Sequence, residues 1–133
     1  MKFYIFLLFL PIFQKCNYNS DGTTGKLGSG YHIFLGNTTE ILGKKNIVLI
    51  KEIDNYENGD SFIIANRNIH KMIEPLDSSD IHWLKQNKSD SIQFWIIDKN
   101  IDSSYGPLNK AEYLELKKDL KVPNSLKLNL EEH

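Results

Sequence analysis

Residues 91–123 constrain the fold most: Ile92-Gln93-Phe94-Trp95-Ile96-Ile97 runs through Asp98-Lys99 and a Tyr105-Gly106-Pro107-Leu108 turn into a helix with its own start signal. Side chains alternate across a strand, so Ile92, Phe94 and Ile96 share one face and Gln93, Trp95 and Ile97 the other. Apolar residues on both faces predict a central strand, covered by a helix on one side and shielded on the other. Asn109 is a good N-cap, and Glu112, three residues on, completes a capping-box pattern. Leu108 and Tyr113 take the staple positions around it. Leu116 and Leu120 extend the apolar face of Tyr113, and Val122-Pro123 predicts the stop.

Upstream, Tyr31, Ile33 and Leu35 alternate with less apolar positions and end at Gly36-Asn37, which predicts a short strand. Thr38 to Leu42 forms a second, stopping at Gly43-Lys44-Lys45-Asn46. Residues 47–54 begin apolar on both faces and turn alternating. Asn58-Gly59 then supplies a tight turn, because both residues tolerate positive φ, and residues 61–66 are expected to return as the partner of 47–54. Residues 66–91 predict a long connection with one or two helical turns. Ile69, Met72, Ile73 and Leu76 share a helical face that Pro75 interrupts, and Ser78-Ser79-Asp80 starts a short helix carrying Trp83. The expected fold is therefore α+β, a small antiparallel sheet of about four or five strands with one packed C-terminal helix.

The chain has 133 residues, enough for one core. Its formal charge is -1, from 16 basic and 17 acidic residues. Without Lys2 and Lys15 the balance is 14 basic against 17 acidic. Phosphate binding needs clustered Lys and Arg, and Arg67 is the sole arginine, so the sequence predicts no nucleic-acid partner.

The N-terminus predicts location. Lys2 precedes the uncharged apolar run of residues 3–13, which as a helix reaches about 16 Å at ~1.5 Å per residue. That is too short for a hydrocarbon core of about 30 Å and fits a secretory signal. The only cysteine, Cys16, follows at once; a lone cysteine forms no internal disulfide, and its place points to lipid attachment. The expected organisation is a signal or anchor in residues 1–16, a flexible linker in 17–30, rich in Gly, Asn, Ser and Thr, and one globular domain in 31–133. The expected location is the cell envelope, exported or membrane-anchored. The membrane is the first partner, through the lipid, and a protein the second. Gly25-Lys26 lacks the spacing and the following Ser or Thr of a phosphate loop.

Around Cys16 the chain resembles a bacterial lipoprotein signal, although Lys15 stands where such signals carry a small residue. Trp95-Ile96-Ile97-Asp98-Lys99, Tyr105-Gly106-Pro107-Leu108, Glu112-Tyr113 and Leu120-Lys121-Val122-Pro123 resemble the C-terminal signature of a family of small uncharacterised bacterial lipoproteins. Gly30-Tyr31 and Phe62-Ile63-Ile64-Ala65 extend the likeness. The resemblance implies export and a shared small fold, and no activity.

No catalytic motif stands out. There is no Gly-x-Ser-x-Gly elbow, and Cys16 lies outside the expected domain. His32, His70 and His82 match no compact metal-ligand spacing, so neither a metal nor a cofactor is expected. Carboxylates at Asp54, Asp98 and Asp102 fit loop and strand-end roles. The expected function is a non-catalytic binding or accessory module, with Trp83, His82, Asp98 and Tyr105 as the candidate binding surface. The alternative is a small envelope hydrolase or metal-dependent enzyme that draws together His32, His70, His82, Asp54 and Asp98.

Overall fold

The structure, a computed structural model, describes residues 22–88 and 90–129. The expected signal segment, Cys16 and residues 17–21 lie outside the described residues.

Among the described residues, eight strands form two antiparallel meanders. The first sheet joins β1 (Thr23–Gly28), β2 (Tyr31–Leu35), β3 (Thr39–Leu42) and β4 (Val48–Ile50) in that order. The second joins β5 (Asn55–Asn58), β6 (Phe62–Asn68), β7 (Ile92–Asp98) and β8 (Ser103–Leu108). Helix α1 (Ser78–Gln86) lies in the connection from β6 to β7, and α2 (Lys110–Asp119) follows β8. The α+β class, the antiparallel pairing and the C-terminal helix are as expected. The strands divide between two sheets, and α1 is a full helix.

The layers run first sheet, second sheet, α2. Leu27, Tyr31, Ile33, Ile41 and Ile50 of the first sheet pack on Ile63, Ala65, Trp95 and Ile97 of the second. On its other face the second sheet packs Phe62, Ile64, Phe94 and Ile96 against Tyr113, Val122 and Leu128. Phe94 and Tyr113 stack with centroids 4.5 Å apart. β6 and β7 are therefore the middle of a sandwich. Ile63 pairs with Ile97 and Ile64 with Ile96, and all four side chains are fully buried, each burial worth about 1.5–3 kcal/mol. The two-faced apolar strand is accounted for by this layering.

α2 begins as its sequence dictates. Asn109 accepts from the Glu112 amide at 2.8 Å, and Glu112 accepts from the Asn109 amide at 2.9 Å. Its end is a Schellman arrangement without glycine: Val122 N donates to Lys117 O and Lys121 N to Lys118 O, with Lys121 at φ 61.

Two segments differ from expectation. Thr23–Gly28, within the expected linker, is a strand paired with β2, and its Leu27 is buried. Its Gly and Thr content hides the one apolar side chain that anchors it. Gly25 lets Ile33 of β2 pack close, since a β-carbon there would lie 3.1 Å from Ile33 Cγ2. The apolar run 47–54 is not one strand paired with 61–66. β4 pairs with β3, and β5 pairs with β6 across the Asn58-Gly59 turn. Between them the chain switches sheets at Glu52, which sits at φ 52.

Candidate functional site

Four buried or half-buried polar side chains fix the loops around the sandwich. Arg67, at the end of β6, has its guanidinium over the Trp95 ring, 5.0 Å from the centroid. Its Nε donates to Gln93 Oε1 at 2.8 Å, one terminal nitrogen donates to Lys51 O at 3.0 Å, and the other meets Asp80 Oδ1 at 3.2 Å. One side chain thus joins β6, β7, the crossing between the sheets and α1. Glu52 directs its two carboxylate oxygens to the amides of Ile73 and Glu74, at 2.6 and 3.2 Å, so residues 69–77 are pinned although they contain only the 3-10 turn Ile69–Lys71.

Lys99, buried after β7, donates to Leu27 O, Asn58 Oδ1 and Gly59 O at 2.6, 2.9 and 2.7 Å. Burial lowers its pKa, with the charge of Asp60 opposing. Tyr31 donates to Asp102, and its phenol is pushed up to about 12 by burial first, then by the Asp102 bond and the negative charges of Asp102 and Asp98. Lys99 and Tyr31 thus tie the β7–β8 hairpin to the first sheet.

Among the described residues, three of the clefts lie between these fixed loops. One, about 560 Å³, lies between the Asn58–Ser61 turn and the segment after α2; Phe62 and Leu126 are among its apolar lining, with Asp60 and Lys121 bringing opposite charges. A second, about 350 Å³, is lined by Trp83, Gln86, Asn87, Pro107, Asn109 and Glu112. The third, about 200 Å³, lies beside Ile73, Thr39 and Asp54.

The sequence-predicted residues are distributed over this framework. Trp83 is buried on α1 and lines the second cleft, beside Pro107; His82 is exposed on the same helix. Asp98 lies at the far end of β7, opposite Ser103, and accepts from the Asn100 amide at 3.0 Å. Tyr105, opposite Ile96, packs with the core beneath α2. Leu108 pairs with Phe94, so about four residues of strand, ~13 Å, separate the Trp83 end from Asp98. The four do not form one patch. Among the described residues no group of three or more His, Cys, Asp or Glu side chains converges for a metal. Of the five residues proposed for an enzyme, Asp54 alone lines one of these three clefts. Sequence reasoning missed Arg67 as a hub. The signal was present in its being the sole arginine, placed at the end of an apolar strand.

A family model described as "Protein of unknown function (DUF3997)" matches residues 27–132, and the chain belongs to that family. No curated protein and no solved structure matches it.

Proposed function

We propose that this chain is an exported binding or accessory module of the bacterial cell envelope, attached to a membrane by a lipid on Cys16. The observation that carries the reading is the order Lys2, apolar residues 3–13, Cys16, then strand β1 starting at Thr23. From Cys16 to Thr23 the backbone spans at most about 25 Å, so a lipid there holds the domain against the bilayer. The resemblance of residues 95–123 to small bacterial lipoproteins supports the same location.

The binding role rests on how the polar groups are used. Arg67, Glu52 and Lys99 fix loops onto a rigid sandwich, the arrangement of a scaffold that presents surfaces. The module's partner is an envelope protein. Cross-linking of the full chain in native envelopes, followed by mass spectrometry, tests this. One recurrent envelope protein, captured by the native chain and lost when Cys16→Ala frees it from the membrane, is the expected result. Turnover of an envelope substrate by the purified chain, abolished by Asp98→Asn or His82→Ala without unfolding, would overturn it.

A further inference from the structure

The inner face of the first sheet is buried on the second, whereas its outward residues are half-buried or exposed throughout. Register places Lys26, His32, Leu42 and Val48 in one row across that outward face, from the β1 edge to the β4 edge. At its β4 edge all six residues from Lys44 to Leu49 are exposed, including Ile47 at 60%, Val48 at 42% and Leu49 at 37%. Lys45 and Asn46 both adopt positive φ, at 63 and 60°, so the turn is sharp and sets two lysines directly beside three exposed aliphatics. No acidic residue lies between Lys44 and Ile50, and Glu40 stands at the other end of β3, opposite Phe34.

We propose that the β4 edge of the first sheet docks on an anionic lipid surface, with Ile47, Val48 and Leu49 entering the headgroup region and Lys44 and Lys45 pairing with lipid phosphates. The inference rests on the membrane-attached reading above. Two features select a bilayer over other occupants. Charge and apolarity are combined as an interfacial segment requires. The chain outside the described residues carries the apolar run 3–13 and Cys16, and it joins the fold through β1 of this same sheet. An anchor at Cys16 therefore brings the first sheet to the membrane ahead of the second sheet and α2.

Hydrogen–deuterium exchange on the full chain reconstituted in vesicles of phosphatidylcholine, with or without phosphatidylglycerol, tests the proposal. Amides of residues 43–50 are expected to exchange several-fold more slowly on the anionic vesicles, with those of α2 unchanged. Each lysine near an anionic surface is worth about fivefold in partition, so Lys44→Gln with Lys45→Gln weakens docking roughly thirtyfold and removes the protection. Both side chains are exposed, so the fold is retained.

Equal exchange on the two vesicle types, with the chain floating on both, overturns the docking and leaves the attachment standing. A chain that fails to float on phosphatidylcholine but is protected at 43–50 on anionic vesicles supports the docking and counts against the attachment. Protection that appears without lipid and rises with protein concentration assigns the edge to a second copy of the chain and overturns the proposal.

Discussion

Replacing Arg67 by Ala is expected to destabilise the domain by about 3–5 kcal/mol, the range for removing one partner of a buried ion pair. Burial decides the regime, because the Arg67 and Asp80 side chains are only 11% and 9% exposed. The Asp80 carboxylate is left without its cation, Gln93 Oε1 loses its donor inside the protein, and Trp95 loses the guanidinium over its ring. The Lys51–Glu74 pair is the internal comparison, at 3.8 Å with side chains 54% and 61% exposed. Lys51→Ala is expected to cost no more than about 1 kcal/mol. Urea unfolding followed by tryptophan emission reads both variants. Arg67→Lys, which keeps the charge but not the planar fork, falls between Ala and the native residue. If Arg67→Ala costs no more than Lys51→Ala, the hub assigned to Arg67 does not hold residues 69–91 in place.

Gly106 sits at φ 149, and a β-carbon there would lie 2.7 Å from Trp95 Cγ and nearer still to Cδ1, so Gly106→Ala is expected to cost about 2–5 kcal/mol in the same assay. Lys121→Gly acts in the other direction. It relieves a non-glycine left-handed residue at the end of α2 and should raise stability by about 0.5–1 kcal/mol, seen as a higher urea midpoint. The Tyr31 phenol is raised from 10.0 to about 12, so the folded state holds its proton after the unfolded state has lost it. Its stabilisation is present below pH 10 and is lost, by no more than about 2 kcal/mol, as the pH rises through 12. Lys99, lowered chiefly by burial, acts oppositely just below its ordinary 10.5, so the tyrosine effect is the difference between the native chain and Tyr31→Phe in alkaline unfolding titrations. An identical pH dependence in the two chains would contradict it.

The parts of the fold legible in the sequence are those whose causes are local or strongly patterned. The apolar pairs of β7 and the Asn109/Glu112 capping box carry their own explanation, and both form. The Asn58-Gly59 turn also forms, but its strand partner was obscured by hydrophobic pattern: Ile47 to Ile50 is more apolar than Asn55–Asn58, yet it belongs to the other sheet. The switch depends on Glu52 in a left-handed conformation, its carboxylate engaged 21 and 22 residues away. No local pattern encodes that. β1 was hidden for the opposite reason, since a Gly- and Thr-rich edge strand needs only Leu27 and a row of backbone bonds to stay in place. The clefts join turns far apart in sequence, such as Asn58 to Phe62 with Lys121 to Leu126, so their lining follows from topology.

The central claim, attachment through Cys16, is tested most directly by the intact mass and N-terminal sequence of the full-length product extracted from membranes of a bacterial cell expressing it. The expected product is a chain that begins at Cys16 and carries the added mass of a diacylglyceryl group. A chain that retains Met1, or one that presents Cys16 as a free thiol, would contradict it.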